Sequence, residues 1–322
     1  MGQRVSREIM HIDQIKTFLE VAASGNFNRA AERLNVTQST VSARIRTLEE
    51  RLGRPLFERD HAGAKLTSAG ERLHRYALSL QRLWQRAEQE VALPAIYRGV
   101  LGLGAQASLW ERLILRWIRW MRCQASDVAI RAEADYSTSI ARQVADGALD
   151  IGVVYTPGHR PGLVVEELFV DQLVLVSTDA AVSSRSWQSN YIFVDWGQAY
   201  NIAHAEAFPD LKPAVSVGLG PLGLRYMLDN GGAGYFPLRV IRPYLSRGEL
   251  HQVPSSPVMQ RPAYIVYNTS PLDKDLLHLG LRGLREIALQ TREDSACYLG
   301  NEAVAVDRHS ALSIDKFDQV GE

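Results

Sequence analysis

The stretch "AAERLNVTQSTVSARIRTLEERLG" (30–53) decides how the first part of the chain folds. Thr37 is a favoured N-cap residue and Gly53 a favoured terminator, so the segment between them is predicted to form one helix. Its apolar residues recur at spacings of four, three and four, which places them on one side of that helix. The residues of this side are Val41, Ile45, Leu48 and Leu52. The polar remainder of the first turns is left facing outward.

Two shorter helices are predicted before this one. The first runs from Ile12 to Ala22, and the second, over 27–34, carries small alanines that let a neighbouring helix approach closely. A tight turn, "NVT" (35–37), then leads into the third helix, and this arrangement is typical of a helix-turn-helix. The segment "RPLFERDHAGAKLT" (54–67) indicates a small hairpin around a glycine turn. Residues 10–67 are therefore predicted to form a winged helix-turn-helix domain.

The outward side of the third helix is short and mostly uncharged. Such side chains near a helix N-terminus suit the major groove of DNA, because amides pair with adenine, hydroxyls bond to several base edges and a methyl group contacts thymine. The free N–H groups of a helix N-terminus also favour phosphate. We therefore predict that this side reads DNA. Its residues are Gln38, Ser39, Ser42, Ala43 and Arg46.

A long helix is predicted from about Ser68 to Ala92, within a linker segment that covers 68–93. Its apolar row continues further than a small domain can cover. It is either a long core helix or a coiled-coil-like helix that buries its row against a copy of itself, and its position between two domains favours the second interpretation. The row comprises Leu73, Tyr76, Ala77, Leu80, Leu83, Trp84, Ala87 and Val91.

Predicted strands and helices alternate in the rest of the chain. The strands "VLGLGA" (100–105), "VAIRAEA" (128–134) and "DIGVVY" (150–155) are separated by helical segments, which indicates βαβ units and a parallel sheet. We predict an α/β domain of two lobes over 98–290. Lobe 1 is expected over 98–170 and 270–290, lobe 2 over 171–269, and a peripheral or disordered tail over 291–322.

Composition predicts a cytoplasmic protein without a membrane anchor. The longest apolar runs, such as 163–176, contain acidic residues well before the roughly 18 residues that a membrane span needs. No export signal is evident, and Cys123 and Cys297 stand in no metal-binding or redox spacing. The net charge of zero conceals an asymmetry, because residues 10–93 hold 13 basic against 10 acidic side chains and residues 94–322 hold 21 against 25. A basic N-terminal part suits a polyanion.

The chain resembles the LysR-type transcriptional regulators. The segment 18–73 carries the elements AAERL, TQS, LEERLG, PLFER and LTSAGE at family spacing, and "DGALDIGVV", "GGAGYFP" and "RGELHQV" follow in the family's order. The match begins at Met10, which leaves residues 1–9 as an extension. The resemblance implies an α+β multidomain protein with a winged helix-turn-helix, a dimerising linker helix and a two-lobed effector domain like the periplasmic binding proteins. Within the family, "GAQASLWERL" and "VDWGQAY" look closest to the regulator of the flagellar master operon.

The resemblance also implies DNA contacts residue by residue. Basic residues of the helix and wing would bind phosphate, guanine or the minor groove, and each is otherwise a solvated surface charge. The family often has Arg where this chain has Ala43, and Pro where it has Ser39 or Thr40, so the bases that it reads cannot be inferred from relatives. The predicted contacts are Thr37, Gln38, Ser39, Thr40, Ser42, Ala43, Arg44, Arg46, Arg59, His61 and Lys65.

Effector contacts are expected at the carboxyl ends of strands, where helix N-termini present free N–H groups. The resemblance implies a small, often anionic effector at two such ends in lobe 1, faced by residues of lobe 2. Alternatively, the Ser and Thr residues among them serve as helix caps. The predicted contacts are Gln106, Ser108, Tyr136, Ser137, Thr138, Asp195 and Trp196.

The implied partners follow from the family. A dimer or tetramer would bind a palindromic site on double-stranded DNA through two recognition helices, and an effector would shift how the dimers are spaced. RNA polymerase is a further candidate partner. No cofactor, metal or membrane partner is predicted. No nucleophilic triad or metal spacing stands out either, so an enzyme is not expected.

Two glycine patterns favour a rival interpretation, an α/β small-molecule or nucleotide-cofactor protein whose N-terminal helices only dimerise it. "GLGAQA" (102–107) and "GLGPLG" (218–223) both lie between a strand and a helix, as in dinucleotide-binding folds. Those folds place an acid about 20 residues further on. Glu133 lies 29 residues after Gly104, and the second pattern lacks a strand that ends in such an acid. We therefore interpret both as plain strand-to-helix turns.

Overall fold

The computed structural model describes residues 10–60, 63–183 and 186–300. The chain divides into two compact units, the first ending at Pro94 and the second beginning at Ala95. Each unit has hydrophobic cores of its own. No helix within the described ranges is long and apolar enough to cross a membrane.

The first unit contains the three predicted short helices. They are α1 (Ile12–Ser24), α2 (Phe27–Arg33) and α3 (Gln38–Leu52). Asn26 starts α2, because its side-chain oxygen accepts hydrogen bonds from two backbone N–H groups of the first turn, at 2.8 and 3.2 Å. Ala30 and Ala31 are buried where the helices meet. One expectation is wrong: Leu52 is 46% exposed, because it is the last residue of α3 and lies beyond the core that covers the earlier turns.

The wing is a two-stranded hairpin of β1 (Phe57–Asp60) and β2 (Gly63–Leu66). Glu49 joins it to α3, since its carboxylate accepts the backbone N–H groups of Leu56 and Phe57 at 2.7 and 3.3 Å. The N–H of Ala64 donates to the carbonyl of Gly25 at 2.8 Å. The hairpin is therefore fixed to α3 at one end and to the end of α1 at the other.

The long helix α4 (Ser68–Val91) follows the wing. Thr67 caps it by accepting the N–H of Gly70 at 3.0 Å. The predicted apolar row divides into two parts: Ala77 is fully buried and Leu73 packs against the core of the unit, whereas the remaining members face solvent in the single chain. These exposed members are Tyr76, Leu80, Leu83, Trp84, Ala87 and Val91.

The second unit alternates strands and helices. In its first part lie β3 (Gly99–Ala105), a short irregular helical segment over 107–114, α5 (Leu115–Gln124), β4 (Val128–Ala134), α6 (Ser137–Ala145), β5 (Ile151–Val154) and β6 (Leu163–Ser177). These are followed by β7 (Ile192–Val194), α7 (Gln198–Ala207), β8 (Val215–Val217), α8 (Gly220–Asn230), β9 (Ala233–Pro237), α9 (Leu238–Ser246), β10 (His251–Gln252), β11 (Met259–Asn268) and α10 (Lys274–Gly300).

The main sheet is mixed, whereas the sequence predicted a parallel sheet. Its order is β10-β6-β11-β5-β3-β4, with β9 also paired to β6. Only β3 with β4, β3 with β5, and β7 with β8 are parallel among the described ladders. The β6 strand leaves the first lobe and β11 returns to it, so the two run in opposite directions and pair antiparallel over ten residues of β11.

Two main hydrophobic cores define the two lobes. The first includes residues up to Phe169 and from Ala263 onward, and the second extends from Leu173 to Met259. The chain thus crosses between lobes inside β6, close to the expected position, and returns inside β11. The expected return at 269/270 is too late, because the second half of β11 already pairs with β5 and packs in the first core.

The last helix is longer than the sequence indicated. The expected end was residue 290, but α10 continues to Gly300, so the first part of the predicted tail is helical. The remaining tail, 301–322, lies outside the described residues, as does the extension 1–9. Helices α7 and α9 were not predicted at all.

A buried histidine stabilises the second lobe. His204 on α7 is 5% exposed, and its Nε2 lies 2.8 Å from the hydroxyl of Tyr191. The two rings stack at 5.4 Å between centroids. Burial lowers the pKa of His204 below its usual value of 6.5, because the apolar surroundings disfavour the charged form of the ring.

We expect the free energy of unfolding to fall as the pH is lowered through about 6.5. In this range His204 binds a proton more readily in the unfolded chain than in the folded one. Denaturant unfolding followed by tryptophan fluorescence measures this, since five of the six tryptophans lie in the second unit. His204→Gln should flatten the dependence between pH 7 and about 5.5. If the free energy of unfolding of the variant depends on pH as steeply as that of the wild type, His204 is not the residue responsible.

Candidate DNA-binding face and effector cleft

The outer side of α3 is polar and accessible over its first three turns. Gln38, Ser39, Ala43 and Arg46 are exposed, and Ser42 is half-buried. The predicted division of this helix is therefore what the first unit shows, with the row from Val41 to Leu48 buried.

Hydroxyl groups surround the start of α3. Thr37 caps the helix by accepting the N–H of Thr40 at 3.2 Å, and its Oγ1 lies 2.8 Å from the hydroxyls of both Ser39 and Thr40. Gln38 donates to Ser42 Oγ at 2.9 Å. These short contacts hold the amide and hydroxyl groups together on one surface, next to helix N–H groups that attract phosphate.

The two arginines of α3 differ in their surroundings. Arg46 is exposed and pairs with Glu50 one turn later at 2.8 Å. Arg44 instead turns toward α1, where it donates to Thr17 Oγ1 and pairs with Asp13, both at 3.2 Å. Arg44 therefore belongs to the packing of two helices, which the prediction of a DNA contact did not anticipate.

The wing adds a basic residue on a fixed strand. Lys65 of β2 is exposed and lies opposite Glu58 of β1 in the ladder. Arg59 lies opposite Ala64 in the backbone pairing, but its side chain and the whole of His61 fall outside the described residues.

The first-lobe effector candidates meet where β3, β4 and β5 end. Ser137 donates to Gln106 Oε1 at 2.7 Å, and the same oxygen accepts the backbone N–H of Tyr155 at 3.0 Å. The N–H of Thr156 in turn donates to Ser137 Oγ at 3.3 Å. The structure thus brings Gln106 and Ser137 together, and these groups already satisfy one another; that they contact an effector stays a prediction.

The other candidates are dispersed. Tyr136 and Thr138 are exposed at the start of α6. Ser108 contributes its carbonyl to a contact with Arg239. In the second lobe, Asp195 accepts the N–H of Gly197 at 2.8 Å and the amide of a nearby asparagine at 3.0 Å, so it holds the turn that leads into α7.

The two glycine patterns, 102–107 and 218–223, allow side chains to pack closely against the backbone. A Cβ on Gly104 would lie 2.6 Å from a side-chain carbon of Leu149, and one on Gly220 would lie 2.3 Å from the ring of Trp196. Both glycines thus let a side chain press against bare backbone. Within the described residues, no three His, Cys, Asp or Glu side chains are grouped so as to hold a metal ion.

A buried charge cluster lies between the lobes, and the sequence did not predict it. Arg239 of α9 holds Asp171 of β6 with a two-pronged ion pair, at 2.7 and 3.1 Å, and donates to the carbonyl of Ser108 at 2.7 Å. Tyr155 donates to the same carboxylate at 2.5 Å. Arg261 lies opposite Asp171 in the ladder of β6 and β11. The one available signal was an aspartate inside the apolar run 163–176.

Burial dominates the electrostatics of this cluster. It raises the pKa of Tyr155 to about 12, with the charge of Asp171 adding to the effect. Burial, the largest single effect, would lower the pKa of Arg239, but the charges of Asp171 and Tyr155 and the hydrogen bonds to both together outweigh it and leave that pKa raised. For Arg261 burial prevails and the pKa is lowered. Arg239 thus has a firm counter-ion, and Arg261 does not.

The chain belongs to the LysR family of transcriptional regulators. Residues 12–71 match the model of the bacterial regulatory helix-turn-helix protein, lysR family, and residues 96–279 match the LysR substrate binding domain. The HTH-type transcriptional regulator HdfR of Escherichia coli strain UMN026 is 31% identical over 280 residues, which cover 84% of this chain and 98% of HdfR. HdfR is a regulator of the flagellar master operon, so the family and the branch predicted from the sequence are both confirmed.

Solved structures support the fold. The full-length regulator CbnR in complex with its target DNA matches with a TM-score of 0.61 at 17% identity, over 88% of this chain and all of that one. LysG from Corynebacterium glutamicum with bound effector Arg matches with a TM-score of 0.54 at 18% identity, over 87% and 99% of the two chains.

Removing the guanidinium of Arg239 should destabilise the second unit strongly. Arg239→Met leaves the buried Asp171 with Tyr155 as its remaining hydrogen-bond partner, and we expect a loss of about 3–5 kcal/mol in the free energy of unfolding. Arg225→Met is the matched control, because Arg225 forms an exposed pair with Asp229 and should cost less than about 1 kcal/mol. Equal losses in denaturant unfolding would show that the buried pair has no special role.

Proposed function

We propose that the chain binds a specific DNA site by placing α3 in the major groove. The observation that supports this is the accessible polar side of α3, whose side chains are amide, hydroxyl and methyl groups close to the helix N-terminus. Gln38, Ser39, Ser42 and Ala43 would meet base edges, and Arg46 a phosphate or guanine. Lys65 of the wing would contact the backbone. Arg44 is proposed to position α3 rather than to read bases.

We further propose that α4 joins two copies of the chain. Its exposed apolar members recur at helical spacing over four turns, and a second α4 is the surface that covers such a row best. A two-fold dimer presents two recognition helices, which matches a palindromic DNA site. A regulator of this kind acts where the DNA is, in the cytoplasm.

A small effector is proposed to bind between the lobes of the second unit and to change how the dimers sit on DNA. The ends of β3, β4 and β5, with Gln106 and Ser137, form one wall of this site. The structure of LysG with its bound effector Arg supports the idea through the shared fold.

The DNA face can be tested by gel shift on the DNA upstream of the gene. We expect Gln38→Ala, Ser42→Ala and Arg46→Ala each to weaken specific binding by about 1–3 kcal/mol where a base contact is lost. A phosphate contact by Arg46 would instead reduce binding to all sequences and lower the salt dependence.

Arg225→Ala is the control for Arg46→Ala, because both arginines are exposed and each pairs with an acid four residues later. It should leave binding unchanged. If the folded wild-type protein forms no specific complex at moderate salt, the regulator proposal fails and the rival interpretation, a ligand-binding protein with dimerising helices, gains support.

The dimer can be tested by sedimentation. Leu80→Glu combined with Trp84→Glu places two charges in the middle of the exposed row, and burying them in an interface would cost several kcal/mol. We expect the double variant to sediment as a monomer at concentrations where the wild type is a dimer or larger. Gln85→Glu, an exposed change on the same helix, should keep the wild-type mass. An unchanged mass in the double variant would rule out α4 as the interface.

A further inference from the structure

Arg261 lies between an aromatic ring of each lobe. Its guanidinium carbon is 3.4 Å from the centroid of the Tyr155 ring and 5.4 Å from that of Trp196. Tyr155 belongs to the core of the first lobe and Trp196 to the core of the second. The side chain therefore touches both lobes at the point where β11 crosses from one to the other.

The charges around Arg261 do not balance. The cluster holds two guanidinium groups, Arg239 and Arg261, and one carboxylate, Asp171. Both oxygens of that carboxylate accept hydrogen bonds from Arg239, and one also accepts from Tyr155. One positive charge, that of the half-buried Arg261, thus has no carboxylate of its own in this cluster.

Two donors in this cluster are also unused. Nη1 of Arg239 and Nη1 of Arg261 are buried and have no hydrogen-bond partner within the described part of the chain. A buried N–H group without a hydrogen-bond partner is unfavourable, and an anion that binds beside it is one way to satisfy it.

Building on the effector site proposed above, we propose that Arg261 anchors a monoanionic carboxylate effector, with Arg239 adding positive potential. A carboxylate carries the single negative charge that the cluster lacks, and its two oxygens match the planar fork of a guanidinium. Because the rings on either side of Arg261 belong to different lobes, an anion held there contacts the element that joins them.

The unliganded protein gives the first test. Arg261→Met keeps the bulk of the side chain and removes the unbalanced charge, so thermal unfolding of the full chain should occur at the same temperature as in the wild type or higher. A loss of more than about 5 °C would mean that Arg261 is a structural cation, and would overturn the proposal.

The second test uses pairs of probes that differ in charge alone: acetate and acetamide, propionate and propionamide, benzoate and benzamide, at equal ionic strength. Fragments of this size bind in the millimolar range at best, so concentrations up to about 50 mM are needed. We expect at least one carboxylate to raise the unfolding temperature of the wild type by about 3–5 °C at tenfold excess over its Kd, and its amide to have no such effect. The shift should vanish in Arg261→Met.

Two outcomes overturn the proposal: no carboxylate exceeds its amide in the wild type, or the carboxylate shift persists in Arg261→Met. Gel shift with the same proteins separates this inference from the proposed function. If specific DNA binding is intact while the carboxylate effect is absent, only the anchor is wrong. If specific DNA binding is absent in the wild type, the regulator proposal itself fails.

Discussion

The antiparallel pairing of β6 with β11 is the constraint on which the second unit depends. Both strands run through both lobe cores, so the two lobes share one backbone ladder. Register in a ladder determines which side chains lie opposite one another, and here it places Asp171 beside Arg261. The buried ion pair with Arg239 then ties α9 to the crossing point. Burying these charges is costly, and the apolar cores on both sides offset that cost.

In the first unit, hydrogen bonds from side chains to the backbone set where each element begins. Asn26, Thr37 and Thr67 start the three helices that follow them, and Glu49 fixes the wing to α3. These contacts and the buried apolar row hold α3 in place, so the side chains on its outer side contribute little to the stability of the unit. A polar, accessible surface on one side of α3 is therefore compatible with a stable small domain.

Polar side chains that look alike in the sequence have different uses in the fold. Arg44 and Arg46 are two residues apart, yet the first bridges two helices and the second stays exposed with Glu50. Asp195 holds the turn before α7 by accepting the N–H of Gly197, whereas Asp171 is buried and paired with Arg239. The neighbours, and not the residue type, decide which of these groups remain available to a ligand or to DNA.

The sequence by itself determined the helices of the first unit, the side of α3 that is buried, the order of most strands and the family, because periodicity and capping act over a few residues and leave a local signature. Only the tertiary structure decided the direction of β6 and β11, the place where the chain returns to the first lobe, and the cluster of Tyr155, Asp171, Arg239 and Arg261. Arg239 lies 68 residues beyond Asp171 in the chain. A contact across such a separation depends on how packed elements meet in space, and no local spacing records it.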